Sequence, residues 1–276
     1  MTGRLWLAGA IAALVLFAQG CVDNGVSFNI VQSQVPTPSG TTGCVTSIDQ
    51  TSTHRNDGTL DLSVATRYVM YPLYMSEILS SQRRQMGRAE MRGLFVDGAD
   101  IELSLPGATG AAFRYRVIST TYVPPASNEG AGFATGTLEI IPDSVGAQLQ
   151  AMLCVPDTSD VTDACPVPIW PNDPAHRQQI VATIHPFGHT MGQVQVSGSS
   201  FVYPITLCCH CLVQFQSAAD NPSISGPDCS ATMGSPTISC NPGQDDPLDC
   251  RTCALGNPAA CQPRGFQNGG MAACPL

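Results

Sequence analysis

The sequence predicts an all-β protein: an antiparallel β-sandwich of immunoglobulin-like architecture, with one short helix and a disulfide-rich, irregular C-terminal tail. Three observations indicate this. Short runs of alternating apolar residues lie between turns, the chain has 26 glycines and 22 prolines, and it has 13 cysteines. Alternation with a period of two places one face of each strand in a core. The immunoglobulin spacing of Cys, Trp and Cys is absent, so the prediction covers the architecture only.

The strand-like runs begin after residue 57. Leu60, Leu62 and Val64 alternate with more polar residues, and the run from Arg67 to Tyr74 is broken by Pro72, which indicates an edge or a bulge. The further strand-like stretches are 101–105, 113–117, 133–141, 179–185, 192–196 and 203–215.

A helix is predicted from Pro142 to Leu153. Proline is typical of a helix start, and Val145, Leu149 and Met152 fall on one face at helical spacing. Shifts in composition divide the whole chain into a signal peptide, a lipid anchor with a flexible tether, a β-sandwich domain and a cysteine-rich tail, at residues 1–20, 21–56, 57–215 and 216–276.

The first 20 residues are typical of a secretory signal peptide. Arg4 is their only charge, and the apolar run Leu5–Phe17 is too short to span a membrane. The next residues, Phe-Ala-Gln-Gly-Cys at 17–21, resemble the bacterial lipobox. That resemblance implies cleavage before Cys21 and lipid on its sulfur, and several acyl chains hold a domain firmly at a membrane. Val22, in place of aspartate, favours the outer membrane.

The charge composition excludes several classes of protein. Only 12% of residues are charged, and the formal net charge is −9 at pH 7. An acidic surface repels phosphates, so a nucleic-acid partner is not expected. Lysine is absent from the chain, which rules out Schiff-base chemistry and a P-loop. The sequence contains no hydrolase elbow, zinc-protease motif or dinucleotide fingerprint, and it predicts no catalytic residue and no cofactor.

Thirteen cysteines in an exported chain predict a disulfide framework. If Cys21 carries lipid, twelve remain, an even number. Cys154 and Cys165 bracket a polar loop, which predicts a local bond between them. We further expect the tail to fold back onto the stretch 203–215 and to cross-link there. The remaining cysteines expected in disulfides are Cys44, Cys208, Cys209, Cys211, Cys229, Cys240, Cys250, Cys253, Cys261 and Cys274.

Metal binding is an alternative for part of this set, because thiolate and imidazole are ligands that zinc and copper prefer. His185 and His189 flank Pro-Phe-Gly, which predicts a hairpin turn. The alternative metal ligands are His185, His189, His210, Cys208 and Cys211. Their spacing matches no zinc template. Two acidic runs, at 157–163 and 245–249, are read as solvated loops, with calcium binding as the alternative.

The stretches 58–72 and 100–105 resemble the start of uncharacterised bacterial lipoproteins of similar length. The run 204–213, Pro-Ile-Thr-Leu-Cys-Cys-His-Cys-Leu-Val, is similar to their strand before a cysteine-rich tail. The resemblance implies no activity. We therefore expect a cell-envelope lipoprotein with a structural role or a protein or surface-glycan partner. The alternative is a metal-binding or redox lipoprotein that uses His185, His189 and Cys208–Cys211.

Overall fold

The computed structural model describes residues 28–39, 43–78, 93–106, 112–127, 130–154, 177–209, 211–214 and 239–249. Over these residues the chain is mostly strand with a single helix, which confirms the all-β prediction. The elements in chain order are β1 (Phe28–Gln34), β2 (Thr37–Pro38), β3 (Cys44–Val45), β4 (His54–Arg55), β5 (Gly58–Asp61), β6 (Tyr68–Met70), β7 (Pro72–Ser76), β8 (Leu94–Ser104), β9 (Phe113–Val123), β10 (Gly132–Thr135), β11 (Leu138–Ile141), α1 (Asp143–Leu153), β12 (Arg177–Thr190), β13 (Gln195–Ser197), β14 (Phe201–Cys208), β15 (Val213–Gln214) and β16 (Leu248–Asp249).

The largest sheet has six strands in the order β5-β14-β12-β8-β9, with β13 paired to β12. Its neighbours are antiparallel, except that β5 and β14 run parallel. Along β12, Ile180, Ala182 and Ile184 are fully buried, whereas Val181 and Thr183 are only half-buried. This is the alternation that the sequence predicted for 179–185, and it gives the sheet one face in the core.

A bulge in β8 changes which residues of that strand face outward. The register with β9 shifts between Val96 and Gly98, and Gly98 has a φ of 151°. A Cβ on Gly98 would collide with the Val117 carbonyl, so only glycine fits there. Gly98 and Ala99 both face inward, and Asp97 is left on the outer side of the bulge.

The second large sheet has the order β10-β7-β1-β4, and β6 pairs separately with β11. Phe28 of β1 and Tyr74 of β7 are fully buried. They belong to one hydrophobic cluster with Leu94, Ile101 and Ile184 of the six-stranded sheet. The two sheets therefore bury their apolar faces against a common core.

β1 lies inside the segment that the sequence assigns to a flexible tether, residues 21–56. It pairs with β7 from Phe28↔Ser76 to Ser33↔Pro72, with an irregularity after Ile30. Fully burying a phenylalanine contributes about 2–3 kcal/mol, which is enough to hold a short strand in a sheet. The prediction of a flexible tether is therefore wrong for Phe28–Gln34. Only two alternating apolar residues, Phe28 and Ile30, indicate this strand in the sequence, and that pattern is too short to identify it.

The helix prediction is confirmed in position. α1 begins after Pro142, and Thr66 donates a hydrogen bond to the Asp143 carboxylate in its first turn (2.7 Å). Val145 and Leu149 are buried as expected, but Met152 is 66% exposed. Met152 lies in the last turn, beyond the part of the helix that contacts the core.

Two predicted strands end earlier than the pattern indicates. Within the predicted strand 60–64, β5 ends at Asp61. The Asp61 carboxylate accepts two hydrogen bonds from Ser63, which closes a turn. The run 203–215 leaves strand geometry after Cys208. The run 133–141 is two strands, β10 and β11, separated by Gly136 and Thr137.

Part of the tail, Ser239–Asp249, lies along β5. Asp61 donates its backbone N–H to the Gly243 carbonyl (2.8 Å), and Asp245 donates its N–H to the Thr59 carbonyl (2.8 Å). A further bridge joins Leu60 to Gln244, and β16 pairs in parallel with β15. The tail therefore returns towards the β14 region as expected. The expected cross-link between the tail and the stretch 203–215 is wrong, because Cys208, Cys209 and Cys211 are bonded to one another or to Cys154. Among the described residues no helix has the length and apolar character to cross a bilayer.

Candidate functional site

The end of β14 carries a group of residues that we call the cysteine bend: Cys208, Cys209, Cys211 and Leu212. Cys208 and Cys209 are buried, and Cys211 is half-buried. Cys208 forms a disulfide with Cys211, and Cys209 forms one with Cys154 after the last turn of α1. The two consecutive cysteines thus make one local bond and one bond to the residue that follows α1.

Asp61 lies beside the cysteine bend because β5 pairs with β14 in the register Cys208↔Asp61. Its side chain is fully buried. One carboxylate oxygen accepts hydrogen bonds from the N–H and hydroxyl of Ser63 (3.0 and 2.6 Å), and the other accepts the N–H of Leu212 (2.8 Å). A carboxylate oxygen and the sulfurs of Cys208 and Cys211 lie within 4.8 Å of one another.

The predicted bond between Cys154 and Cys165 is wrong, because Cys154 is bonded to Cys209. The predicted strand 203–215 also does not continue through Cys211. The chain bends after Cys208, and Cys211 returns to bond with Cys208. Pairing depends on where α1 and β14 meet in the fold, which spacing along the chain does not contain.

Cys44 and Cys240 form a third disulfide, between segments 196 residues apart. This bond ties the N-terminal part of the domain to the tail. Because a cross-link limits the unfolded chain more when it closes a longer loop, this bond is the strongest constraint of the three.

A second polar group, the tyrosine–aspartate network of Tyr68, Tyr203 and Asp245, fixes the tail to the core. Tyr68 donates to the Asp245 carboxylate (2.5 Å), and its hydroxyl lies 3.1 Å from that of Tyr203. The backbone N–H of Thr59 donates to the other oxygen of Asp245 (2.6 Å), and the Arg55 Nε lies 3.7 Å from the carboxylate.

Burial controls the ionisation of this network. It raises the pKa of the Asp245 carboxyl above the usual range, although the Tyr68 and Thr59 hydrogen bonds act in the opposite direction. Burial also raises the pKa of Tyr203 to about 12 and that of Tyr68 further. The interpretation of the run 245–249 as a solvated loop is therefore wrong for Asp245. Its neighbour Asp246 pairs with Arg55 (3.1 Å).

His185 and His189 lie within β12, so the predicted hairpin turn is wrong. The pairing of β12 with β14 ends at Ile184, and its pairing with β13 begins at Phe187. Pro186 lies between the two pairings, so the N–H that proline lacks is not needed for a hydrogen bond between strands there. Four residues along a strand separate the two rings by about 13 Å. The structure therefore does not bring the histidines together, or next to the cysteine bend.

Each histidine has acidic residues near it on the outer face of the six-stranded sheet. His189 Nδ1 lies 2.7 Å from the Asp97 carboxylate, and its ring stacks on Phe95 with centroids 5.4 Å apart. His185 pairs across the strands with Asp100. Arg116 donates two hydrogen bonds to Asp100 (2.7 and 2.8 Å) and thereby lowers the pKa of that carboxyl.

Several residues singled out in the sequence lie outside the described residues. They are Cys21, Cys165, Cys229, Cys250, Cys253, Cys261, Cys274, His210, Asp157, Asp160 and Asp163. Sequence reasoning missed Asp61, Tyr68 and Tyr203. Each occupies an ordinary position in a strand-like run, and only the fold places it beside a partner from the far end of the chain.

Comparison with known proteins assigns no family to the chain. No protein-family model matches it, and no curated protein matches it. Among solved structures, a crystal structure of a protein from Archaeoglobus fulgidus is similar, with 11% identity and a TM-score of 0.29, over 55% of this chain and 93% of that one. A similarity at this level carries no conclusion about function.

Proposed function

We propose that this chain is a bacterial lipoprotein of the cell envelope, anchored by lipid on Cys21 in the outer membrane, with a structural or partner-binding role. The signal peptide and lipobox-like segment at residues 1–21 support the anchor. No catalytic step is part of this proposal.

The observation that carries the proposal is the disulfide between Cys44 and Cys240. A bond that ties the N-terminal part of the domain to its tail persists in an oxidising compartment and is reduced in the cytosol. Two further disulfides at the cysteine bend support the same compartment. Export from the cytosol would supply the oxidising conditions that these disulfides need.

The proposed partner surface is the outer face of the six-stranded sheet. Ile118, Tyr122 and Val202 lie on it and are 74%, 47% and 58% exposed. Such residues favour binding of a protein or a surface glycan. An immunoglobulin-like sandwich is our proposal for the arrangement of the two sheets, supported by their common core.

Lipid attachment is tested by expressing the full chain in a bacterium fed an alkyne-labelled fatty acid. We expect label on the wild-type protein and its recovery in the outer-membrane fraction. Cys21→Ala should lose both, whereas Val22→Ala should keep the label, because it leaves the acylated sulfur in place. Equal labelling of Cys21→Ala and wild type would refute the anchor.

Thiol redox chemistry is the second candidate function. It is favoured by the grouping of Asp61, Cys208 and Cys211 within 4.8 Å. The metal-binding form of this candidate stays a prediction, and the separation of His185 from His189 along β12 does not favour it. Metal analysis of protein purified from the envelope tests metal binding. Stoichiometric zinc or copper would support a metal-binding function, and the absence of both metals would refute it.

A further inference from the structure

The disulfide of Cys208 and Cys211 differs from the other two disulfides of the described residues in the length of chain it closes. Its cysteines are three residues apart, whereas the others are 55 and 196 residues apart. A long loop makes a disulfide a large contributor to stability, and a short loop makes it a small one. Opening Cys208–Cys211 therefore releases little chain, and we expect it to cost the domain less stability than opening either of the other two.

The cysteine bend is held by contacts that remain when this bond opens. Leu62 donates its N–H to the Cys208 carbonyl (2.8 Å), and Leu248 donates to the Leu212 carbonyl (2.8 Å). Leu212 itself donates to Asp61 (2.8 Å). The bond from Cys209 to α1 holds the middle of the bend. Both sulfurs would stay near each other as thiols.

The surroundings also suit the reduced form. Cys208 Sγ lies 3.7 Å from the Leu60 carbonyl oxygen, which is within reach of a thiol proton. The Asp61 carboxylate lies within 4.8 Å of both sulfurs and is fully buried. Cys211 is half-buried, whereas Cys208 is fully buried, so an external sulfur reaches Cys211 first.

We propose that Cys208 and Cys211 form a reversible dithiol–disulfide pair that exchanges with external dithiols and disulfides, with Asp61 accepting the proton of the Cys208 thiol. The proposal rests on the second candidate function and develops it. It is independent of lipid on Cys21, so loss of anchoring and absence of exchange are separate results.

In reduction, one thiolate of an external dithiol attacks Cys211 Sγ and a mixed disulfide forms. The electron pair of the broken bond leaves on Cys208 Sγ, which takes up a proton from water. The second external thiolate then displaces Cys211 as a thiolate, which is also protonated by water, so the products are two protein thiols and one external disulfide.

Oxidation runs in the opposite direction with an external disulfide as the oxidant. Cys211 as thiolate first forms a mixed disulfide with it and releases one external thiolate. The Cys208 thiol then transfers its proton to the Asp61 carboxylate. Its thiolate attacks Cys211 Sγ, and the second external thiolate leaves.

The first test uses the unaltered full-length protein. Samples are equilibrated in buffers of reduced and oxidised dithiothreitol and trapped with N-ethylmaleimide, and the position of each label is read by fragmentation mass spectrometry. We expect Cys208 and Cys211 to be labelled at a dithiol concentration at least tenfold below that needed for Cys154 and Cys209, with an unchanged near-ultraviolet circular dichroism spectrum. Labelling of all four together, or only after loss of that spectrum, would overturn the proposal.

The second test measures how fast the bond re-forms with oxidised glutathione. Asp61→Asn should slow this step by about tenfold or more, because loss of a general base typically costs at least that much. Ser63→Ala is the matched control: it removes one hydrogen bond to the same carboxylate but keeps the carboxylate, and its rate should stay within about twofold of wild type.

An unchanged rate in folded Asp61→Asn would overturn the role of Asp61. If that variant does not fold, Asp61→Glu replaces it, because it keeps a carboxylate at the site. A rate for Asp61→Glu within about tenfold of wild type supports the assignment, and a complete loss of exchange with the fold intact contradicts it.

Discussion

Tyr68 donates a hydrogen bond of 2.5 Å to Asp245, a residue 177 positions later in the chain. The bond joins β6 to the returning tail, and Tyr68 is almost completely buried. A buried hydroxyl and a buried carboxylate each need a partner, because neither is hydrated. The two residues therefore stabilise each other's position.

Tyr68→Phe removes this partner and should lower the free energy of unfolding by about 1.5–3 kcal/mol, the range for a hydrogen bond to a charged group. Tyr74→Phe is the matched control. The Tyr74 hydroxyl is buried and has no hydrogen-bond partner among the described residues. Its removal should leave stability unchanged or raise it by up to about 1 kcal/mol. Urea unfolding measures both, and equal losses would contradict the assignment.

The raised pKa of Asp245 should make the stability of the domain depend on pH. Burial raises the pKa of its carboxyl above the ordinary value of 3.8. The folded state therefore holds this proton more tightly than the unfolded state, and the stabilisation from this group is present below pH 3.8 and lost as the pH rises through the folded pKa. Asp245→Asn, which stays neutral, should gain stability relative to wild type over that interval. Urea midpoints from pH 3 to 7 measure the difference.

Asp100→Asn serves as the control of opposite sign. Arg116 lowers the pKa of Asp100, so the contribution of Asp100 is present above its ordinary pKa and lost as the pH falls. The variant should lose stability relative to wild type as the pH rises. The same trend in both variants would show that burial does not govern Asp245.

Loss of the bond between Cys44 and Cys240 should destabilise the whole domain. Replacing both cysteines by serine should lower the free energy of unfolding by about 2–4 kcal/mol, because the unfolded chain regains its freedom. Each single replacement should cost about as much as the pair, since one change already breaks the bond. An additive loss in urea unfolding would mean that the two residues act separately.

Gly146 in α1 should be intolerant of alanine. A Cβ there would collide with the Thr66 carbonyl. Alanine normally raises helix stability by about 1 kcal/mol, but here the overlap should produce a net loss of about 1–3 kcal/mol. Ala147→Gly on the exposed side should lose only about 1 kcal/mol. Thermal unfolding compares the two, and a more stable Gly146→Ala would contradict the close approach of α1 to Thr66.

The fold class was predictable because buried strands and helices leave periodic patterns. β12 alternates over many residues, and α1 shows helical spacing around Val145 and Leu149. The irregular places were not predictable in the same way. β1 has only Phe28 and Ile30 as a signal, and the parallel pairing of β5 with β14 joins strands far apart in sequence.

The candidate site was predictable in part. The cysteines at 208, 209 and 211 were recognisable as a candidate site because three cysteines lie within four residues. Their pairing depends on tertiary geometry, which the sequence does not show. Asp61 gave no signal, because an aspartate in an alternating run has the pattern of an outward-facing strand residue. It is buried only because Ser63 and Leu212 supply donors to its carboxylate.

The segment Gly243–Asp245 covers the outer edge of β5. β5 is the last strand of its sheet, and the tail occupies its free side through the N–H of Asp61 and the carbonyl of Thr59. Such a side, left open, is a template on which strands of other molecules add and aggregate. Proteins commonly deter this with lysine, and this chain has none. The tail, held by the Cys44–Cys240 disulfide, covers this side of β5 instead.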